Sequence, residues 1–402
     1  MRRSKAAVLV AVALALAGCT TAVAPEAAKL PATGQEPGVA QARETTTRPA
    51  ITQFTHPATE TRFVWLPSRD LLVPREQLMA KLDQLKAAGF NRVGIDVQFR
   101  GHVLYPNSAS LPHVPEARGE DLLRICIDAV HARGMKADAW MEYGMYAHFT
   151  TAKNDRSMGQ WLDADPSLLS VDASGNGAIV RSFGTFYSLD ASQPGSAELL
   201  AKLNVEVATR YDVDSINLDR MRYAEFDHLS VAGRARFERE TGIRWSNFKP
   251  DSDEGRKLNE WKRQQLLNAV RTVTTAVRKA KPGLPITGYV VPPSEMDNKS
   301  QGYDLWMREN LLDGIFVSMY GADITEPANR AIALFGGDKS RLYAAINAEQ
   351  TTENLTTNIE LSRRLGLQGQ GVWYSGAVDD ADAKALAAGP YAKPAKDELT
   401  AK

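Results

Sequence analysis

The chain has 402 residues, of which 44% are hydrophobic and 24% are charged, and its 48 basic residues balance 48 acidic ones. This composition is typical of a globular protein with a large buried core. The balanced charge argues against nucleic acid or an anionic lipid surface as a partner. Only two cysteines occur, Cys19 and Cys126, which excludes a disulfide framework.

The N-terminus resembles the signal peptide of a bacterial lipoprotein. Three basic residues within the first five positions precede an apolar run at 6–17, which has the length of a signal-peptide core and is too short to span a bilayer. The run ends in Leu-Ala-Gly-Cys, which resembles a lipobox, so we expect cleavage after residue 18 and lipidation of Cys19. In a Gram-negative organism, Thr20 at the next position indicates the periplasmic face of the outer membrane. The alternative is an ordinary signal peptide or an uncleaved anchor without lipid.

Residues 20–60 are rich in Ala, Thr and Pro and show neither helical nor strand periodicity. We interpret residues 19–60 as the lipidated cysteine followed by a flexible tether. The folded domain is then expected over residues 61–390, followed by a C-terminal tail over residues 391–402.

From residue 61 onward, short apolar runs alternate with helix-length amphipathic segments. The predicted strands are 62–66, 92–97, 136–141, 213–219, 285–291, 314–319, 342–347 and 371–375. The predicted helices are 74–88, 119–133, 196–210, 258–280, 303–309, 326–334, 355–365 and 381–388. Eight strand and helix units in one run favour a closed parallel (β/α)8 TIM barrel. The alternative, an open doubly wound sheet, lacks its usual Gly-x-Gly-x-x-Gly phosphate loop here.

Polar side chains gather at the predicted carboxyl ends of the strands, where TIM barrels carry their chemistry. Alternation puts Trp140 and Glu142 on one face of the third strand, and Asn217 and Asp219 on the inward face of the fourth. The same alternation and the loops that follow predict further residues of this end, namely Gln98, Arg100, Arg222, Tyr289, Tyr320, Asn347, Glu349 and Trp373.

This set of side chains fits carbohydrate chemistry. Glycoside hydrolysis usually needs two carboxylates beside the scissile bond, while aromatic rings bind sugar faces and amides and arginines bind hydroxyls. The six histidines have no zinc spacing, and no Gly-x-Ser-x-Gly nucleophile elbow occurs. We therefore predict a polysaccharide as the partner, with no metal and no cofactor.

Structural roles are an alternative at several of these positions. Asp219 can pair with Arg220 or Arg222 to complete the barrel, and the two tryptophans can belong partly to the core. Asp96 and Asp138 lie deeper in their predicted strands, so we interpret both as structural.

Short motifs follow one another in a distinctive order over residues 61–375. They are Arg-Phe-Val-Trp-Leu at 62–66, the turn at 89–91, Gln-Phe-Arg-Gly-His-Val-Leu-Tyr-Pro-Asn-Ser at 98–108, His-Ala-Arg-Gly at 131–134, Ala-Trp-Met-Glu-Tyr-Gly at 139–144, Tyr-Asp-Val-Asp-Ser-Ile-Asn-Leu-Asp at 211–219 and the segment 303–320. In this order they resemble the glycosyl-hydrolase-like family 10, which includes lipoproteins that cleave peptidoglycan glycan strands lacking stem peptides. The resemblance implies a lipid-anchored glycosidase of the cell envelope.

By this resemblance Asp219 and Glu142 are the catalytic carboxylates, and Arg100 and Tyr105 bind substrate. We assign Asp219 as nucleophile or general base and Glu142 as general acid. One departure bears on catalysis, because the family often has a second acidic residue where this chain has Arg220. A glycosidase is the leading hypothesis, and a non-catalytic barrel that binds cell-wall glycan is the alternative.

Overall fold

The computed structural model describes residues 53–152 and 155–401. In chain order the strands are β1 (Thr61–Leu66), β2 (Arg92–Asp96), β3 (Gln98–Phe99), β4 (His102–Val103), β5 (Lys136–Met141), β6 (Tyr146–Thr150), β7 (Ile179–Arg181), β8 (Gly184–Ser188), β9 (Ser215–Leu218), β10 (Ile286–Val290), β11 (Gly314–Ser318), β12 (Leu342–Asn347) and β13 (Gly369–Trp373). Eight of them, β1, β2, β5 and β9 to β13, form a closed barrel of parallel strands. The predicted TIM barrel is confirmed.

Helices surround the barrel and connect its strands. They are α1 (Ser68–Leu71), α2 (Arg75–Ala88), α3 (Leu122–Ala132), α4 (Gln160–Ala164), α5 (Pro194–Arg210), α6 (Val231–Thr241), α7 (Asp253–Ala280), α8 (Tyr303–Arg308), α9 (Thr325–Leu334), α10 (Thr352–Arg364) and α11 (Asp380–Ala388). Parallel strand pairs require crossover connections, which are usually helical. Each predicted helix overlaps one of these observed helices.

Aromatic side chains fill the interior of the barrel. Phe63 and Trp65 of β1 lie with ring centroids 4.7 Å apart, and Phe316 of β11 lies 4.9 Å from Phe63. Gly371 of β13 makes this possible, because a Cβ at that position would lie 2.5 Å from the Trp65 ring. The interior is therefore packed largely with aromatic side chains, and the charged groups lie at the two ends of the barrel.

A second apolar layer lies between the strands and the helices. Because side chains alternate along a strand, Val64 and Leu66 face outward from β1. They belong to the same buried cluster as Leu78, Leu82 and Leu85 of α2. The spacing of three or four residues on α2 is that of one helix face, so both elements bury the side that the sequence marks as apolar.

Some elements differ from the predicted ones. Helix α7 begins at Asp253, five residues before the predicted start at 258, because the Ser252 side chain accepts a hydrogen bond from Gly255 N and caps it. The prediction did not include the β3–β4 hairpin, the antiparallel sheet β6–β8–β7, helix α6 or the short helices α1 and α4. Helix α6 has the sequence VAGRARFERET, in which only Gly233 and Phe237 are buried, so its apolar periodicity is weak.

Both chain ends pack against the barrel near the amino ends of the strands, which we call the floor. Glu60 is 4% exposed and binds Arg62 and Arg363, each at 2.7 Å, while Thr59 forms a β-bridge with Lys396. Residues 53–60, assigned above to the tether, and the tail residues around Lys396 thus contribute packing to the fold. The rest of the tether, the signal peptide and Cys19 lie outside the described residues.

The floor also holds a buried ion network between strands. Arg92 of β2 pairs with Asp138 of β5, and with Asp397 of the tail at 2.5 Å. All three side chains are nearly inaccessible to solvent. Asp138 is therefore structural, as the sequence suggested. Among the described helices, no span is long and apolar enough to cross a membrane.

Candidate active site

Three carboxylates lie where three neighbouring strands end, at the carboxyl end of the barrel that we call the rim. Asp96 is the last residue of β2, Glu142 follows β5, and Asp219 follows β9. These strands are adjacent in the order β9–β5–β2. Met141 and Leu218 are register partners, so Glu142 and Asp219 leave the sheet side by side. The structure thus brings together the two predicted catalytic residues and adds a third.

Asp219 is 4% exposed and contacts the indole of Trp140. Trp140 Nε1 donates to Asp219 Oδ2 at 3.1 Å, and the backbone N of Arg220 donates to Asp219 Oδ1. Burial raises the pKa of Asp219 to about 7, although the positive charges of Arg220 and Arg222 act to lower it. Asp219 therefore exchanges a proton near neutral pH, which suits acid or base work.

Arg220 bridges the ends of β9 and β5. Its Nη2 donates to Glu142 Oε1 at 3.0 Å, and both side chains are at most 5% exposed. The Arg220 backbone has φ +45°, and Gly144 lies against it, since a Cβ on Gly144 would be 2.1 Å from the carbonyl oxygen of Asp219. Arg220 therefore contacts both carboxylates, Asp219 through its backbone N and Glu142 through its side chain. It occupies the position at which the resemblance implies an acidic residue.

Asp96 is the carboxylate that the sequence analysis assigned to the interior. Its Oδ2 accepts from Ser68 N at 3.0 Å and its Oδ1 from Gln98 N at 3.1 Å. Burial and then the charge of Glu142 raise the pKa of Asp96 well above its ordinary value. The predicted strand ran one residue too far, to Val97, and this hid the fact that Asp96 ends β2. A strand-end rule applied to the observed bounds would have found it.

Aromatic rings form a wall beside the carboxylates. Trp373 packs edge-on against Trp140 at 5.5 Å and stacks on Tyr289 at 6.1 Å. The hydroxyl of Tyr289 donates to that of Tyr320 at 2.5 Å. Burial, and then the charge of Asp219, raise the pKa of Tyr289 to about 12. Trp140 and Trp373 are nearly inaccessible, whereas the tyrosines are half-buried and present the wall to the rim.

An insert between β5 and α5, which contains β6, β7 and β8, covers the rim. The Arg220 guanidinium lies 5.4 Å from the ring centroid of Tyr146 and 5.9 Å from that of Phe186. On β7, Arg181 forms an ion pair with Glu225 of the loop after β9. The insert therefore packs against Arg220, the residue that joins the ends of β9 and β5.

Two buried lysines hold the loop that carries Arg220 and Arg222. Lys262 Nζ donates to the carbonyl oxygen of Phe226 at 2.7 Å, and Lys299 Nζ donates to that of Ala224 at 2.8 Å. Burial lowers the pKa of Lys262 to about 7. Sequence reasoning missed both lysines, because each is anchored by backbone carbonyls far away along the chain.

The remaining predicted binding residues divide into two groups. Gln98, Arg100, Arg222, Tyr289, Tyr320, Asn347, Glu349 and Trp373 lie at or just after the carboxyl ends of their strands. Arg100 lies over Phe149 of the insert at 5.6 Å, and the exposed Glu349 donates its backbone N to Asn347 Oδ1 at 2.9 Å. Gln98 contacts a rim carboxylate through its backbone N, which donates to Asp96 Oδ1. A substrate contact stays a prediction for all eight positions.

Two predicted binding residues are placed elsewhere. Asn217 is fully buried, accepts a hydrogen bond from Trp65 Nε1 at 3.1 Å and donates one to Thr287 Oγ1 at 2.8 Å. Both ends of its amide therefore bind other side chains inside the barrel. Tyr105 is fully buried on the outer side and packs 5.3 Å from Tyr211. Neither side chain is therefore exposed at the rim, since Asn217 lies two residues before Asp219 in the chain and Tyr105 packs beside Tyr211 at the end of helix α5. Their roles as substrate contacts stay predictions.

Within residues 53–152 and 155–401, no cluster of His, Cys, Asp and Glu side chains has the arrangement of a metal site. The rim itself presents buried carboxyl groups, arginines and aromatic rings.

The glycosyl hydrolase-like 10 family model matches residues 60–334, which is more than half of the chain. The chain belongs to this family. The predicted family and the prediction of a glycoside hydrolase are thereby confirmed. In sequence, the chain is similar to the glycosyl hydrolase DigH of Escherichia coli K12. The two are 25% identical over 355 residues, which cover 78% of this chain and 74% of DigH.

Solved structures share the fold of this family member. The PgaB (BpsB) glycoside hydrolase domain from Bordetella bronchiseptica superposes with a TM-score of 0.60 at 15% identity, over 82% of this chain and 98% of that domain. The catalytic domain of a β-amylase from Paenibacillus polymyxa gives 0.58 at 13% identity, over 81% and 95%. At such low identity, these likenesses bear on the barrel architecture alone.

Proposed function

We propose that this protein hydrolyses peptidoglycan glycan strands that lack stem peptides, and that the reaction takes place at the carboxylate rim. The observation that carries the proposal is the pairing of Asp219, which titrates near pH 7, with Glu142, which Arg220 holds at 3.0 Å. Two carboxyl groups on adjacent strands are what glycoside hydrolysis requires. The resemblance to lipoproteins that cleave such strands supports the choice of substrate.

The two carboxyl groups exchange the roles that the sequence suggested. Because its pKa is raised to about 7, Asp219 retains a proton up to neutral pH and is placed to protonate the leaving oxygen. Glu142, which Arg220 Nη2 holds through Oε1 on the adjacent strand, then takes the other role, attack or activation of water.

The half-buried tyrosines of the wall provide the sugar platforms. Tyr289 and Tyr320 combine ring faces with hydroxyl groups, and sugars need both apolar contact and hydrogen bonds. Arg100 and Arg222 flank the carboxylates and can donate to glycan oxygens. A long polymer would thus lie across the rim, beneath the insert.

The decisive experiment incubates the full-length protein with purified glycan strands, either stripped of stem peptides or still carrying them, and analyses the products by mass. We expect shorter glycans from the stripped strands only. Amylose serves as the control polysaccharide and should remain intact. Cleavage of both glycan forms would contradict the substrate assignment. Binding to stripped strands with no cleavage would favour the alternative of a non-catalytic glycan-binding barrel.

We also propose that Cys19 is lipidated and anchors the protein in the cell envelope. The proposal is supported by the apolar run at 6–17 that ends in Leu-Ala-Gly-Cys. Cys19→Ser should abolish incorporation of labelled fatty acid and release the protein from the membrane fraction, whereas Cys126→Ser should do neither. Unchanged labelling of Cys19→Ser would rule the anchor out.

A further inference from the structure

Asp96 is the third carboxyl group of the rim, and neither half of the proposed reaction uses it. We propose that Asp96 is a positioning residue that donates one shared proton to Glu142 and so fixes the orientation of the Glu142 carboxylate. This inference rests on the proposed function and deepens it. It concerns a group that does not itself contact substrate.

Asp96 is held rigidly by the backbone. Its two oxygens accept from Ser68 N at 3.0 Å and from Gln98 N at 3.1 Å, and its side chain is fully buried. Each carboxyl oxygen retains a second lone pair or a proton for another partner. A carboxyl group fixed at both oxygens is a stable support for a neighbour.

Glu142 needs such a support on one side. Its Oε1 accepts from Arg220 Nη2, whereas its Oε2 is buried with no hydrogen-bond partner among the described side chains and backbone. Asp96 is the register partner of Trp140 on β5, two residues before Glu142, and the two buried carboxyl groups are near enough for Glu142 to raise the pKa of Asp96. Two ionised carboxylates in contact would repel each other, but one proton between them forms a strong O–H to carboxylate hydrogen bond. That proton satisfies Oε2.

Charge balance puts the proton on Asp96. Arg220 Nη2 lies 3.0 Å from Glu142 Oε1, so a single negative charge shared by the two carboxyl groups is attracted toward the Glu142 side of the pair. The other titratable groups that face the pair are Asp219 after β9 and Tyr143 after β5. Three carboxyl groups therefore face one fully buried guanidinium, and full ionisation would leave buried negative charge without compensation. Burial and the charge of Glu142 accordingly raise the pKa of Asp96 well above its ordinary value.

The consequence for hydrolysis is geometric. With one oxygen on Arg220 and the other on protonated Asp96, the Glu142 carboxylate has a single orientation before substrate arrives. Preorganised hydrogen bonds of this kind cost nothing to arrange during the reaction. Loss of the support should therefore reduce turnover more than it reduces substrate binding.

Infrared absorption tests the proton directly, because a protonated carboxyl group absorbs apart from carboxylates. The spectrum is taken on full-length Asp219→Asn protein at about pH 8, where Asp138, with a pKa of about 6, is ionised. We expect a protonated carboxyl band that Asp96→Asn removes and Glu142→Gln displaces. The control is Asp138→Asn, which removes an equally buried carboxyl group on the neighbouring strand and should leave the band unchanged. Absence of the band in the Asp219→Asn protein, or its persistence after Asp96→Asn, would overturn the proposal.

Turnover provides a second readout. Asp96→Asn loses one of the two backbone hydrogen bonds but keeps an N–H that can donate to Glu142, so kcat should stay within about tenfold of the original. Asp96→Ala should lose about a hundredfold in kcat at similar KM. Equal losses in both variants would argue against positioning through a donated hydrogen bond. If the unmodified protein cleaves no glycan, the proposed function fails, and the infrared result still decides the protonation of Asp96.

Discussion

The floor and the rim of the barrel both bury carboxylates beside arginines, but they differ in charge balance. On the floor, Arg62, Arg92 and Arg363 face Glu60, Asp138 and Asp397. On the rim, Asp96, Glu142 and Asp219 face the buried Arg220, with the half-buried Arg222 farther out. The floor is neutral when all its groups are ionised, and the rim is not.

This difference separates a structural network from a reactive one. Balanced ions on the floor can remain ionised and tie the chain ends to the strands. Excess carboxyl groups on the rim must retain protons, because a buried negative charge without a partner is costly. A retained proton near neutral pH is available for transfer, so charge imbalance at the rim is itself a mark of the reactive end.

The largest effect is expected from Asp219→Asn. The change keeps the side-chain shape and the hydrogen bond from Trp140 but removes the proton that the reaction needs, so kcat should fall by about 10²- to 10⁴-fold. Glycan binding, measured by pull-down with stripped strands, should be retained. The matched change on the floor, Asp138→Asn, should leave kcat within a few-fold at temperatures where the protein is folded. Similar kcat values for the two variants would contradict the assignment of the rim as the reactive end of the barrel.

Arg92→Met should produce the largest loss of stability. It leaves Asp138 and Asp397 buried without their shared cation, and breaking a buried ion pair in this way costs about 3–5 kcal/mol in free energy of unfolding. Urea unfolding at neutral pH measures the loss. The control is Arg75→Met, which breaks an ion pair with Glu120 whose side chains are more than half exposed and should cost under about 1 kcal/mol. Equal losses would mean that burial on the floor adds nothing.

The sequence predicted the barrel well because its strands are buried on both faces and appear as short apolar runs. The insert was missed because its strands β6, β7 and β8 are short and antiparallel and have no repeat spacing. At the site, Glu142 and Asp219 were found from strand ends. Asp96 was not found, because the predicted strand ended at residue 97 and the observed β2 ends at Asp96. This difference of one residue placed the carboxylate inside the predicted strand instead of at its end. The pairing of Arg220 with Glu142 depends on a positive φ and is invisible in the sequence.

Glu60→Gln tests whether residues before Thr61 stabilise the barrel. Burial acts to raise the pKa of Glu60, but the guanidinium of Arg363 and its other donors hold it below the ordinary value. A lowered pKa in the folded state means stability that is present above the ordinary pKa of Glu and is lost as pH falls through the folded pKa. The variant should thus lose about 2 kcal/mol at neutral pH and little in acid. Glu353→Gln, an exposed position on α10, is the control and should show no such pH dependence.

The pH profile tests the exchange of roles between the two rim carboxyl groups. If Asp219 is the acid, it acts when protonated, so kcat/KM should fall tenfold for each pH unit above about 7, the value to which burial raises its pKa. If Asp219 is instead the base, as the sequence suggested, the rate should rise through the same pH. Initial rates on stripped glycan strands from pH 5 to 9 distinguish the two slopes. A flat profile would assign the acid to another group.

The smallest effect concerns Arg222, whose charge acts to lower the pKa of Asp219. Arg222→Gln removes that charge while keeping a polar side chain beside Tyr146, so the alkaline limb of the pH profile should move to higher pH, with kcat below the limb within a few-fold. The control is Arg69→Gln, which removes another half-buried arginine of the rim, one that lies 4.1 Å from the ring centroid of Tyr374, and should leave the limb in place. A shift of the limb to lower pH in Arg222→Gln would contradict the electrostatic account, because removal of a nearby cation cannot favour the ionised form of a carboxyl group. An identical shift in both variants would attribute the limb to the overall charge of the rim instead of to Asp219.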